Sequence, residues 1–103
     1  MSRPYEVKSV EVVAQAPGLL VREFTFAPGE ATPWHHHTHV SDRTYLLAGE
    51  IILETEATRL TLEAGDTHHL PAGARHRLIN ETATDTRLLL IQDGGRYDFI
   101  TDG

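Results

Sequence analysis

Short apolar runs in which hydrophobic and polar positions alternate, broken every few residues by glycine, proline or acidic residues, fill most of this chain. Leu19 to Phe26 sets Leu20, Arg22, Phe24 and Phe26 on one face of an extended segment and Leu19, Val21 and Glu23 on the other, because neighbouring side chains of a strand point to opposite faces. Apolar residues on both faces predict a strand covered on two sides. Residues 5 to 14 alternate weakly, with Val10 and Val12 together, and read as an edge or dimer-contact strand. Ala16, Pro17 and Gly18 separate these two strands, and Pro28 with Gly29 forms the next turn. Thr44 to Leu47 and Ile51 to Glu54 flank Ala48, Gly49 and Glu50 and predict a hairpin. Arg59 to Glu63 alternates cleanly, with Leu60 and Leu62 on the buried face. Beyond the polar stretch Glu81 to Asp85, Arg87 to Gln92 predicts a further strand in which Leu88, Leu90 and Gln92 share a face, so leucines that fill an interior bring Gln92 toward it. No helical apolar period persists beyond two turns, so the prediction is all-β.

Composition narrows the class. A length of 103 residues predicts one domain, 1–103, with one core. No apolar run approaches the roughly 20 residues of a membrane helix, so no membrane association is expected. The opening MSRPYEVKSVEVV lacks the apolar core of a secretory signal, which predicts a cytoplasmic protein. The absence of cysteine excludes disulfides, thiolate catalysis and cysteine-bound zinc or iron–sulfur centres. A net charge of −6 without a basic run argues against nucleic acid as a partner. Any metal must rest on nitrogen and oxygen.

The histidines supply that chemistry. Four of the seven lie between His35 and His39. In an extended strand His35 and His37 project together about 6.5 Å apart, which lets two imidazoles converge on one ion at roughly 2.1 Å each, while His36 points away. Asp42 follows as a carboxylate of the kind that joins histidines at open iron, manganese or zinc sites. In a second segment, Pro71 and Gly73 turn the chain sharply before a new strand begins near His76. His76 is therefore a third imidazole able to reach the first two. His36, His39, His68 and His69 read as ordinary surface or core residues. Trp34 and Tyr45 are the aromatic candidates for a pocket wall, with packing the expected role of Trp34, and Asn80, Gln92 and Thr44 are candidates to orient ligands or substrate. No serine sits in a nucleophile context, and no clear general base accompanies the histidines; His68 or His69 could serve only if one faces the pocket.

Together the two segments resemble the paired motifs of the cupin superfamily. The first reads Gly29, His35, His37, Asp42 and Gly49 at the family's intervals, with Asp in place of Glu; the second reads Gly65, Pro71, Gly73, His76 and Asn80. The resemblance implies a double-stranded β-helix of jelly-roll type, a small β-barrel. It further implies a divalent transition metal (Fe, Mn, Ni or Zn) held by His35, His37, His76 and Asp42. Asp42 is one methylene shorter than Glu, so it binds directly only if its strand shifts inward, or else through water. The implied function is a metal-dependent enzyme acting on a small organic molecule, as a dioxygenase, isomerase or lyase; a noncatalytic metal or small-ligand module is the alternative. In such a barrel Tyr97, Phe99 and Ile100 of the tail would cap the barrel or pack on a partner. Pairing of the open edge predicts a homodimer built on the N-terminal strand.

Overall fold

The computed structural model describes residues 5–101, which form ten strands. They are β1 (Ser9–Ala16), β2 (Leu19–Phe26), β3 (His35–His36), β4 (Ser41–Ala48), β5 (Glu50–Thr55), β6 (Arg59–Glu63), β7 (Thr67–Leu70), β8 (His76–Ile79), β9 (Thr86–Asp93) and β10 (Ile100–Thr101). One sheet has the order β1-β2-β9-β4-β7 and the other β10-β3-β8-β5-β6, and every pairing is antiparallel. The all-β jelly-roll expectation holds. Among the described residues no helix is long and apolar enough to cross a membrane.

Alternation places the core. Phe24 and Phe26 of β2, Leu46 of β4, Leu88 and Leu90 of β9, and Ile51 and Leu53 of β5 turn inward and are buried, each contributing about 1.5–3 kcal/mol relative to exposure. The register carries polar residues inward along the same rows. Asp42 lies between Gln92 and Leu70, one pleat above the row that joins Thr44 to Leu90 and His68. A layer of buried polar groups thus sits directly on an apolar core, at the end where β3 and the start of β4 meet.

The hairpin predicted across Gly49 is corrected. Ser41–Ala48 and Glu50–Thr55 belong to different sheets, β4 pairing with β7 and β9, and β5 with β6 and β8. Gly49 carries the chain from one sheet to the other with φ +82, and a Cβ there would meet Thr86 Oγ1 at 2.8 Å and Asp85 O at 2.9 Å. Glycine is required for the positive φ and for the close approach of β9. Strand β7, within the second histidine segment, had no prediction. Strand β1 does occupy a sheet edge, with Val12 and Val13 exposed beside an irregularity in its pairing with β2. The tail returns across the molecule as β10, which pairs with β3.

Candidate metal centre

The first histidine segment is extended only briefly, over β3, yet this suffices to separate its faces. His35 and His37 are each 4% exposed, whereas His36 is half-buried and Thr38 and His39 are exposed. His76 opens β8 directly opposite His35 and is 3% exposed. Ligand nitrogens of His35, His37 and His76 all lie within 4.8 Å of one another. Their ring centroids are 5.0 Å (His35–His37), 4.3 Å (His35–His76) and 5.6 Å (His37–His76) apart.

Hydrogen bonding fixes which nitrogen each ring presents. Nδ1 lies 2.8 Å from Pro33 O in His35, 2.6 Å from Asp98 O in His37 and 2.8 Å from Ala74 O in His76. A carbonyl oxygen can only accept, so each Nδ1 carries a proton and donates it. In the neutral ring, Nε2 is then a bare lone pair. This is the arrangement by which a backbone carbonyl sets the tautomer of a metal-ligating histidine.

Asp42, 4% exposed, enters from β4. Its Oδ2 is 3.3 Å from His37 Nε2 and 3.1 Å from His76 Nε2. A carboxylate facing two imidazole lone pairs is repelled unless a proton or a metal cation lies between them. In the metal-free chain a proton does this work. Burial lowers the pKa of His37, but the hydrogen bond and charge of Asp42 and the Asp98 carbonyl outweigh it and raise the pKa above its ordinary 6.5. Burial pushes Asp42 up, and hydrogen bonds from His37 and His76 overcome it to hold the carboxyl well below its usual range. His35 behaves differently: burial, aided by the charge of His76, lowers its pKa to about 3. His35 is a neutral donor at every pH at which the fold is expected to operate.

The donor set fits a divalent transition ion: three inward lone pairs on borderline-soft nitrogen, with a carboxylate in reach. Asp42 approaches two of the three histidines, in keeping with its shorter side chain. Gln92, 1% exposed on β9, donates from Nε2 to Asp42 Oδ1 at 2.9 Å and lies 3.3 Å from His37 Nε2. Its inward course was legible from alternation along β9.

The other predicted orienting residues lie elsewhere. Asn80 bonds Phe26 O, Thr84 O and Thr82, with no hydrogen bond to a histidine among the described residues. Thr44 is buried one row deeper than Asp42. Trp34 packs as expected, under the guanidinium groups of Arg75 and Arg77 at 4.7 and 5.2 Å, so it is not a wall of the site. Tyr45 alternates away from the buried Thr44. The aromatic walls come instead from the tail. Phe99 stacks on His35 at 4.2 Å with rings 16° from parallel, and Tyr97 lies 5.4 Å from His37. Asp98 Oδ1 accepts from Thr38 N at 2.7 Å, tying this segment to the histidine strand. Only Ile100 of the three tail hydrophobics is exposed. A cavity of about 210 Å³ lies between the β1–β2 turn and the tail, with Gln15, Leu20, Val40, Gln92, Arg96 and Tyr97 in its wall; it touches the centre only through Gln92, and none of His35, His37, His76 or Asp42 lines it.

Two antiparallel sheets closing over inward histidines define a double-stranded β-helix with a candidate transition-metal centre at one end. The chain belongs to the cupin family: residues 22–92 match the family described as Cupin domain. It is 37% identical over 83 residues to the β-alanine degradation protein BauB of Pseudomonas aeruginosa, covering 79% of this chain and 85% of that one. The crystal structure of TT1209 from Thermus thermophilus superposes with a TM-score of 0.79 at 26% identity, covering 91% of each chain. An oxalate oxidase shares the fold, with a TM-score of 0.75 at 19% identity over 82% of this chain and 46% of that one.

Proposed function

We propose that the protein is a metal-dependent cupin enzyme acting on a small organic molecule, with a divalent transition ion held by the Nε2 atoms of His35, His37 and His76. One observation carries this reading: three buried imidazoles have Nδ1 bonded to backbone carbonyls and offer ligand nitrogens within 4.8 Å of one another, beside a buried carboxylate. Without a cation the set is held by protons shared between Asp42 and the rings of His37 and His76; a divalent ion satisfies the three nitrogens and the carboxylate together. Asp42 completes the set directly or through water.

When bound, the ion supplies Lewis acidity toward a carbonyl, carboxylate or enol oxygen of the substrate. The chain's own residues perform the remaining tasks. Gln92 holds the Asp42 carboxylate in place, and the Pro33, Asp98 and Ala74 carbonyls hold the rings. Phe99 and Tyr97 exclude water from the His35 and His37 faces. The names of two relatives favour a substrate of few atoms, since β-alanine and oxalate are both small carboxylic compounds.

The reaction type is tested by reconstituting the protein with iron(II), manganese, nickel or zinc and offering small hydroxy, keto and dicarbonyl acids with and without dioxygen. Dioxygen consumption with iron or manganese assigns an oxidase or oxygenase; anaerobic turnover assigns an isomerase or lyase. Metal binding without turnover in any of these conditions contradicts the enzymatic reading and leaves a binding module.

A further inference from the structure

Arg22 is the one charged side chain on the inward face of β2, between Leu20 and the buried Phe24. Its Nη2 donates to Gln92 Oε1 at 2.8 Å, and its guanidinium lies 5.1 Å from the Phe24 ring and 4.8 Å from the Tyr97 ring. Its Nε is buried and has no hydrogen-bond acceptor. Among the described residues no carboxylate pairs with it.

These facts are unusual together. Nε and Nη2 form the edge of a guanidinium that holds a carboxylate through two parallel bonds. Here Gln92 bonds the Nη2 half of that edge, and the Nε half has no hydrogen-bond partner. Arg22 also reaches the centre through a single residue, because Gln92 passes from Arg22 to Asp42 and to the vicinity of His37. Arg22 itself does not line the cavity, but Gln92 and Tyr97, which it contacts, and the adjacent Leu20 do. A divalent ion beside three neutral imidazoles, one carboxylate and one guanidinium leaves two positive charges unbalanced in a largely buried space, and a small dianion neutralises them.

We propose that Arg22 is a specificity-determining residue that receives a carboxylate of a small, preferably dianionic ligand bound beside the metal centre. The proposal rests on the metal reading above and deepens it, by naming the class of ligand. Within the protein Gln92 keeps the guanidinium in place until a carboxylate joins it on the Nε side.

The test uses full-length protein loaded with cobalt(II), whose visible absorption reports a ligand approaching the ion, titrated with malonate and with its neutral analogue malonamide. Wild type is expected to bind malonate and to bind malonamide far more weakly. Arg22→Gln is expected to keep its cobalt stoichiometry and lose malonate affinity by at least about tenfold, with Arg22→Lys intermediate because it keeps the charge without the fork. Unchanged malonate affinity in Arg22→Gln overturns the proposal, as does failure of cobalt-loaded wild type to bind malonate. Loss of cobalt from Arg22→Gln also overturns it, since Arg22 would then serve only to hold Gln92 and Asp42. If wild type takes up no cobalt, the metal reading fails separately. Arg22 is then judged on thermal stabilisation of the metal-free chain by malonate, which must vanish in Arg22→Gln for the proposal to stand and overturns it otherwise.

Discussion

His76 opens β8 and Asn80 follows its last residue; both are buried and polar, and their bonding could hardly differ more. Asn80 is fully satisfied by its own chain: Nδ2 donates to Phe26 O and Thr84 O at 2.9 Å each, and Oδ1 accepts from Thr82 N and Oγ1 at 2.9 and 2.7 Å. It clamps the loop between β8 and β9 and needs nothing further. His76, with His35 and His37, has its Nδ1 satisfied and its Nε2 turned toward other lone pairs and a carboxylate. Both residues are hydrogen-bonded; the difference is that Asn80 bonds backbone and threonine groups of its own loop and of β2, whereas the second nitrogen of His76 faces a carboxylate and two further imidazoles.

Substitutions can break this comparison from either side. The largest effect is expected at the ligands: His76→Ala should weaken metal affinity by more than about 100-fold, beyond the 10–100-fold typical of losing an orienting partner, as read by equilibrium titration with zinc against a competing chelator. Asn80→Ala should do the opposite, lowering stability in urea unfolding by about 2–4 kcal/mol for the loss of several buried hydrogen bonds while keeping wild-type metal stoichiometry. A stable Asn80→Ala that loses metal would place Asn80 in the site after all. Asp42→Ala should weaken zinc binding about tenfold, less than His76→Ala, because Asp42 approaches only two of the three histidines. Equal losses would show a direct ligand as strong as imidazole.

A smaller effect follows from protons competing with the ion. The raised pKa of His37 means that its proton, paired with Asp42, stabilises the metal-free fold below about pH 6.5, and this contribution fades as pH rises through the folded pKa. Metal needs the same nitrogen unprotonated. Stabilisation by added zinc, measured as the shift in Tm, should therefore be small near pH 5.5 and grow toward pH 8; a shift independent of pH contradicts it. His35, lowered to about 3, stays unprotonated in the fold across this range and does not compete with the ion, although at this residue the metal-free fold loses stability below about pH 6.5, where the unfolded chain binds that proton.

Much of this was legible in the sequence where chemistry demands both residue type and spacing. His35, His37 and His76 fall on inward positions because period-2 alternation and the Pro71–Gly73 turn leave few other arrangements, and Gln92 follows from Leu88 and Leu90 on the same face. The crossing at Gly49 was not legible, since a glycine between two apolar runs serves a hairpin or a passage between sheets equally well. What decides is the contact with Asp85 and Thr86, remote in sequence. The aromatic wall was half visible: the tail could be assigned to capping, but its stacking on His35 depends on β10 finding β3. Arg22 gave no signal of its own, because its partner Gln92 lies 70 positions away.

The most direct measurement is elemental analysis of untagged protein, purified without chelators or metal columns, beside His76→Ala and Asn80→Ala. Stoichiometric iron, manganese, nickel or zinc is expected in wild type and in folded Asn80→Ala, and its disappearance from folded His76→Ala. Wild-type protein that holds no metal even after anaerobic reconstitution with each ion, or a His76→Ala variant that keeps it, would contradict the claim that the three histidines converge to bind one.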